Sequence, residues 1–153
     1  MVRPTFPVPW KNRPLANGLW HTVARREAVV LESILVMVGG GLGSLARYWV
    51  GTAVVQRFGT VFPAGTLLIN VAGSFVLGVL FALGVLSLVG SRTRLLLGAG
   101  FCGGFTTFST FSVESLNLLQ KGSVLPAMVY LLGNVLGGLA AAWLGFGLTK
   151  ALS

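Results

Sequence analysis

Charged residues are scarce in this sequence: Asp, Glu, Lys and Arg make up only 9% of its 153 residues, whereas 54% are hydrophobic. Soluble domains carry about 25% charged residues, and so few charges cannot cover a globule with polar surface. The scarcity excludes an ordinary soluble domain and predicts a protein whose natural solvent is lipid.

Acidic residues are rarer still, with three against eleven Lys and Arg and a formal net charge of +8. A basic balance is also typical of nucleic-acid-binding proteins. Here, however, the basic residues form no stripe, because five lie within the first 26 residues and most others flank apolar stretches. That distribution is typical of membrane topology signals, and we predict no nucleic-acid partner.

Residues that build enzymatic or metal sites are nearly missing. The single cysteine, Cys102, lies in an apolar stretch and excludes a disulfide framework or a cysteine-based zinc site within one chain. The single histidine, His21, lies in the basic amino-terminal segment without a partner for metal binding. The sequence also lacks a Ser/His/Asp set, paired carboxylates at depth and a Walker loop, so we predict that the chain is not an enzyme.

Four long apolar segments occupy most of the chain, over residues 29 or 33 to 55, 62–89, 95–119 and 125–148. Each can span a bilayer, which takes roughly 20 residues in a helix. Short connectors make consecutive helices antiparallel. The sequence therefore predicts an all-α integral membrane protein, with four transmembrane helices over residues 29–153 and a basic, flexible cytoplasmic tail over residues 1–28.

Glycines recur inside these segments at a spacing of four residues: Gly39 with Gly43, Gly100 with Gly104, and Gly133 with Gly137. Small residues at this spacing let helix backbones approach closely. We therefore predict helices that pack tightly on one another. Because four short helices are few for an ion pathway, we also predict an oligomer.

The third segment combines two adjacent glycines with a cluster of Thr, Ser and Phe over residues 103–112. Glycine costs a helix roughly 1 kcal/mol relative to alanine, and hydroxyls offer the backbone competing hydrogen bonds. We therefore predict a helix break between Gly103 and Thr107, although a continuous helix with back-bonded hydroxyls is the alternative. Broken helix is tolerated at membrane depth only inside protein or along a cavity, and its freed carbonyls can coordinate a cation.

Phe108 and Phe111 are three residues apart and therefore share one helix face. Such a pair is often plain packing. The alternative is that the positive edges of the two rings favour an anion. Ser109, Thr110 and Ser112 place further hydroxyl donors nearby.

Polar side chains lie within the second and fourth spans. They are compatible either with hydrogen bonds between helices or with a polar pathway. Asn70 lies deep in the second segment with Ser74 one turn later, and Tyr130 and Asn134 lie one turn apart in the fourth.

Two charged residues also lie within spans, Arg47 in the first and Glu114 in the third. They can pair as a structural salt bridge. Alternatively they stand apart, and Arg47 raises the concentration of anions at a pore mouth.

Three stretches carry a resemblance to a known family: GLGSLARY at residues 41–48, GTLLINVAGSF at 65–75 and GGFTTFSTF at 103–111. In this order and on these segments they resemble the Fluc/CrcB fluoride channel family, over about residues 33–147. The resemblance implies a four-helix subunit that forms an antiparallel, dual-topology dimer with two fluoride pores and a structural sodium ion at its centre. It further implies passive export of cytoplasmic fluoride through the cell inner membrane, which reduces fluoride toxicity, with no other cofactor.

The resemblance also implies the pore residues: the vestibule arginine Arg47, the pore amide Asn70, the paired rings Phe108 and Phe111, the polar track of Ser109, Thr110, Tyr130 and Asn134, and the pore-end glutamate Glu114. Gly103 and Thr106 match the positions whose backbone carbonyls bind sodium. Asn134 departs from the family, in which a serine is common there, but an amide can still donate a hydrogen bond.

Two other functions are compatible with four apolar helices. A proton-coupled antiporter needs a titratable carboxylate in its binding chamber, whereas Glu32 lies near the start of the first span and Glu114 one turn beyond the phenylalanines. An accessory membrane subunit without transport activity is the second alternative.

The charge distribution bears on membrane orientation. Eight basic residues lie on the side shared by the tail, the connector at residues 90–94 and the carboxyl end, whereas the opposite side has Arg57 and Lys121. The positive-inside rule therefore favours an inward amino terminus. A homodimer requires dual insertion despite this bias, and otherwise an oppositely oriented paralogue completes a heterodimer.

We expect both orientations in cells that express only this chain. A Ser123→Cys variant in which Cys102 is replaced should be labelled by an impermeant thiol reagent from both sides of the membrane. A single orientation, together with no fluoride flux, would contradict the homodimer.

Overall fold

The computed structural model describes the backbone of residues 16–153 and the side chains from residue 25 onward. Within this range every regular element is helical. The elements are α1 (Ala16–Phe58), α2 (Ala64–Val85), α3 (Ser91–Arg94), a π-helix (Leu95–Cys102), α4 (Gly103–Phe105), α5 (Phe108–Gln120) and α6 (Val124–Ala151).

Four helical stretches of the described residues are long and apolar enough to cross a membrane: Arg25–Phe58, Ala64–Val85, Ser91–Gln120 and Val124–Ala151. This confirms the predicted four-helix fold. Large apolar side chains such as Trp143 and Phe81 remain exposed on these spans, as expected where lipid replaces water.

Helix α1 begins at Ala16, inside the segment predicted to be a tail. The flexibility of residues 1–28 stays a prediction, and residues 1–15 and the side chain of His21 lie outside the described residues. One compact unit comprises Glu32–Ser153, and a second ends at Leu31. All the packing described below lies within the first of these units.

Helices α2 and α6 lie side by side and run parallel, as alternate spans of an up-and-down bundle do. Residue numbers rise together along their contact, where glycines of one helix face side chains or backbone of the other: Leu67 with Gly133, Val71 with Gly137, Ser74 with Gly138, and Gly78 with Ala142. The small residues bring the two backbones together, which is the close approach predicted from their spacing.

Helix α1 packs on the third span through glycines as well. A Cβ added to Gly39 would lie 2.9 Å from the Phe101 backbone nitrogen, and one added to Gly43 would lie 2.9 Å from the Phe105 nitrogen. Any side chain at these positions would therefore push the two backbones apart.

The π-helix over Leu95–Cys102 was not predicted, because its apolar sequence has no feature that distinguishes a π-helix from an α-helix. π-Helical turns are rare and often lie at functional sites. This one lies against the glycine face of α1 and leads directly into the predicted break.

The second span is shorter than its apolar run, which extends to residue 89. Ser87 has a left-handed φ of 58°. Its N–H donates to the Gly84 carbonyl at 3.1 Å, and the Leu88 N–H donates to the Leu83 carbonyl at 2.9 Å. This pair of bonds is a Schellman motif, which ends α2 in spite of the apolar residues that follow.

We expect Gly43→Ala to lower the free energy of unfolding in detergent by about 1–3 kcal/mol, the usual cost of overpacking. The added methyl would meet the Phe101 carbonyl. Gly41→Ala is the matched control, because a Cβ at Gly41 meets nothing within 4 Å. Equal stabilities of the two variants would show that this helix contact is loose.

Candidate functional site

The third span is interrupted at Thr106 and Thr107, which confirms the predicted break. Thr106 has φ −78° and ψ 161°, and Thr107 has φ −151° and ψ 116°. Both are extended conformations, which β-branched residues adopt readily. Gly103 and Gly104 are themselves helical, and Gly104 lies against the backbone of Gly40, so these glycines serve packing.

The break is held by the side-chain amide of Asn70. Its Oδ1 accepts a hydrogen bond from the Thr107 N–H at 2.9 Å, and its Nδ2 donates to the Thr107 carbonyl at 3.2 Å. Nδ2 also donates to Asn134 Oδ1 at 2.9 Å. Both amide hydrogens are thus engaged, so an ion that binds them must displace a protein acceptor.

Hydroxyls close the two helix ends at the break. The N–H of Thr106 and its Oγ1 both donate to the Cys102 carbonyl at 2.9 Å. Thr107 caps α5, because its Oγ1 accepts from the Thr110 N–H at 3.3 Å and donates to Thr110 Oγ1 at 3.0 Å. Thr107 is therefore an N-cap in the usual sense, and the hydroxyl hydrogen of Thr110 remains available.

Two cavities flank the break. A cleft of about 580 Å³ is lined by the ends of α1, α2 and α5 and includes Arg47, Thr110, Glu114 and Lys121. A groove of about 550 Å³ lies between α2, α6 and the third span. Thr107 lines both cavities, so the break forms the partition between them. The groove is lined by Asn70, Gly73, Ser74, Leu77, Gly98, Cys102, Gly103, Thr106, Thr107, Phe108, Phe111, Asn134, Val135, Gly138, Leu139 and Ala142.

The Gly103 and Thr106 carbonyls were the candidates for the sodium site. In a continuous helix the Thr107 N–H would donate to the Gly103 carbonyl, but here that hydrogen is bonded to Asn70. The Thr106 carbonyl has only a long contact of 3.5 Å with Arg47 Nη1. Free carbonyls at the carboxyl end of a helix suit a monovalent cation. The described side chains contain no His, Cys, Asp or Glu cluster that could hold a metal, so a cation here would rely on backbone oxygens.

Aromatic rings form a chain from the groove to the cleft. The Phe108 ring centroid lies 5.5 Å from that of Phe111, which lies 5.6 Å from Tyr130, and Tyr130 lies 5.7 Å from Phe62. Phe111 is buried, whereas Phe108 is 79% exposed on the isolated chain. Phe108 therefore presents its ring to whatever covers the groove.

Glu114 pairs with Tyr130 and not with Arg47. The fully buried Tyr130 donates its hydroxyl hydrogen to Glu114 Oε2 at 2.6 Å. Within residues 25–153, no ion pair joins Arg47 to Glu114, and Arg47 contacts the Thr106 carbonyl instead. Of the two alternatives, the structure supports separate roles for Arg47 and Glu114.

The predicted pore residues gather around one place. Asn70, Asn134, Phe108 and Phe111 line the groove, whereas Arg47, Thr110 and Glu114 line the cleft. Tyr130 lies buried behind them. Exposed Ser109 joins the group through its Oγ, 3.4 Å from Thr107 Oγ1.

Thr107 was named in the sequence only as the end of the predicted break, although it links these residues. A signal for its role was available, because a threonine that directly precedes a helical stretch is a typical N-cap. Ser74 was noted only as a neighbour of Asn70, and the structure places it in the groove.

These features define the class of protein: a multi-pass membrane protein whose third span is broken at a polar site between two cavities. Comparison with known sequences then gives the family. The family described as "CrcB-like protein, Camphor Resistance (CrcB)" matches residues 34–146, and the chain belongs to it. The predicted family is thereby confirmed.

Individual relatives are similar over most of the chain. It is 59% identical to "Fluoride-specific ion channel FluC" of Gloeobacter violaceus, over 81% of this chain and 100% of the relative. It is 48% identical to "Fluoride-specific ion channel FluC 2" of Rhodococcus jostii, over 76% and 97%, and 46% identical to the FluC of Pyrococcus furiosus, over 78% and 96%. The relatives are named as channels and not as enzymes, in agreement with the prediction.

We expect Asn70→Ala to lower the free energy of unfolding by about 2–3 kcal/mol, because it leaves the Thr107 N–H and Asn134 Oδ1 without partners. Unfolding of the purified chain in detergent measures the change. Asn117→Ala is the control, because this exposed amide has no side-chain hydrogen bond within the described residues, and it should change stability by less than about 0.5 kcal/mol. Similar losses in both variants would mean that Asn70 does not hold the break.

Proposed function

We propose that this protein is a fluoride-selective ion channel through which cytoplasmic fluoride leaves the cell passively. The observation that carries the proposal is the 59% identity with a fluoride-specific channel over that relative's full length. The family match over residues 34–146 includes the break and the lining of both cavities. A passive channel needs neither an ATP site nor a carboxylate that takes up and releases protons. The scarcity of charged residues is therefore compatible with this function.

The geometry of the break supports an anion path. Helix α5 begins at Phe108, where its first N–H groups and the positive end of its dipole point toward the break. The free hydroxyl hydrogen of Thr110, the Ser109 hydroxyl, which makes only a long contact of 3.4 Å with Thr107 Oγ1, and the ring edges of Phe108 and Phe111 lie within one turn of this end. Such donors in series can replace the water of a strongly hydrated anion, whose transfer would otherwise be very costly.

The cleft supports recruitment of the anion. It has Arg47 and Lys121 against a single carboxylate, Glu114, which already accepts a hydrogen bond from Tyr130. A net positive mouth raises the local anion concentration. The path we propose runs from this cleft past Thr110 and Thr107 into the groove.

A second copy and a sodium ion belong to the same proposal. The exposed ring of Phe108, exposed Gly103 and half-buried Thr106, whose carbonyl has only the long contact with Arg47, line the groove, which the described residues leave open. An antiparallel homodimer would cover it, and two facing copies would present four carbonyls to one sodium ion. An oppositely oriented paralogue in a heterodimer would do the same. We place the assembly in the lipid bilayer of the cell inner membrane, where fluoride export reduces toxicity.

Efflux from liposomes tests the function and separates the alternatives. The purified chain is reconstituted with internal fluoride, and a fluoride electrode follows release once a potassium ionophore balances charge. We expect rapid release without a pH gradient. Release only with a pH gradient would indicate an antiporter, and no release would indicate an accessory subunit.

In the same assay we expect Phe108→Ile to slow fluoride efflux roughly tenfold, since the substitution removes the positive ring edge while largely keeping side-chain volume. Phe81→Ile is the matched control. Phe81 is 65% exposed, comparable to the 79% of Phe108, but its ring pairs with Phe146 away from both cavities. Efflux at the wild-type rate in a folded Phe108→Ile protein would show that the Phe108 and Phe111 rings serve only packing.

A further inference from the structure

The α6 wall of the groove loses its polar side chains along its length. The residues that line the groove at one-turn intervals are Asn134, Gly138 and Ala142, so beyond Asn134 this wall is apolar. Opposite Gly138, however, α2 contributes a hydroxyl. A Cβ added to Gly138 would lie 3.3 Å from Ser74 Oγ.

The Ser74 hydroxyl has no hydrogen-bond partner among residues 25–153, whose side chains the structure describes. Hydroxyls in transmembrane helices commonly donate to the carbonyl one turn earlier, as those of Thr106, Ser112, Ser115 and Thr149 do at 2.7–2.9 Å. Among the described residues, Ser74 makes no such bond to Asn70. Its hydroxyl hydrogen is therefore free to donate into the groove.

Asn134 supplies a second donor close by. Its Nδ2 gives one hydrogen to the Tyr130 carbonyl at 3.0 Å, and its Oδ1 accepts from Asn70. An amide nitrogen has two hydrogens, and the second faces the Tyr130 hydroxyl, an acceptor that an anion in the groove can replace. Because Ser74 lies opposite Gly138, one turn beyond Asn134, both donors reach the same stretch of groove.

The surroundings strengthen these donors. Leu77, Val135 and Leu139 line the groove beside them, and a hydrogen bond is electrostatically stronger in an apolar environment than in water. No carboxylate lines this groove. An unused hydroxyl donor beside an exchangeable amide donor, with no carboxylate in the groove lining, favours an anion as the ligand.

We propose that Ser74 and Asn134 form an anion subsite one helical turn beyond Asn70, which holds fluoride between the break and the far end of the groove. This inference rests on the proposed function and adds to it a residue, Ser74, that carries part of the path. Ser74 would supply the hydrogen-bond donor along the part of the groove where α6 contributes only Gly138 and Ala142.

The first test is fluoride efflux from liposomes with Ser74→Ala. We expect release to slow roughly tenfold, the change expected for one lost hydrogen bond to an ion. Ser115→Ala is the matched control. It removes a hydroxyl from a span in the same way, but that hydroxyl is buried and already donates to the Phe111 carbonyl, so release should stay at the wild-type rate.

The second test moves the hydroxyl across the groove. Gly138→Ser in the Ser74→Ala background places a new hydroxyl where the old one was removed, and we expect it to restore most of the rate. Gly138→Ala in the same background fills the space without a donor and should restore nothing. Ser74→Cys, a weaker donor of similar size, should fall between wild type and Ser74→Ala.

Several results would overturn the subsite. They are wild-type release by Ser74→Ala, equal rates in the two double variants, or recovery of Ser74→Ala at high sodium, which would assign the hydroxyl to the cation. Size-exclusion profiles of each variant establish folding. If the wild-type protein itself releases no fluoride, the proposed function is wrong. If the wild-type protein releases fluoride and Ser74→Ala releases it equally fast, only the subsite is wrong.

Discussion

Backbone amides at membrane depth must be hydrogen-bonded, because lipid offers no water to replace a missing partner. The break at Thr107 satisfies this constraint through Asn70. The side-chain amide accepts from the Thr107 N–H and donates to the Thr107 carbonyl, so it pairs with this residue much as a neighbouring strand would. An aspartate side chain has no hydrogen to donate, and a serine hydroxyl is too short to reach both the N–H and the carbonyl of Thr107. Few side chains could therefore hold an extended residue here.

The same amide connects three spans. Asn70 of α2 donates to Asn134 of α6, which donates back to the Tyr130 carbonyl. The hydroxyl of Tyr130 then donates to Glu114 of α5, two turns beyond the Thr107 cap. The hydrogen bonds therefore form a circuit that begins and ends on the third span. Because both ends of the circuit are fixed, the rings of that span have one defined position relative to α6.

Local features of the sequence were sufficient to predict the spans and the break. Hydropathy predicts the spans, and the low helix propensity of residues 103–107 predicts the interruption. The partner of Glu114 could not be predicted, since both Arg47 and Tyr130 are plausible until helix packing is known. The π-helix and the early end of α2 at Ser87 also depend on packing and turn geometry that apolar composition does not encode. For the same reason the sequence alone does not indicate that Ser74 faces the groove.

The polar groups at the break already form hydrogen bonds with one another. This explains how a polar path can bind an ion without trapping it. Asn70 gives both of its amide hydrogens to protein oxygens, and the Thr107 hydroxyl donates to Thr110. An anion at these donors exchanges one hydrogen bond for another, so it gains only the difference between them. Weak, repeated exchange of this kind favours passage over tight binding. Donors that have no partner among the described residues, such as Ser74, would then mark the places where an ion pauses.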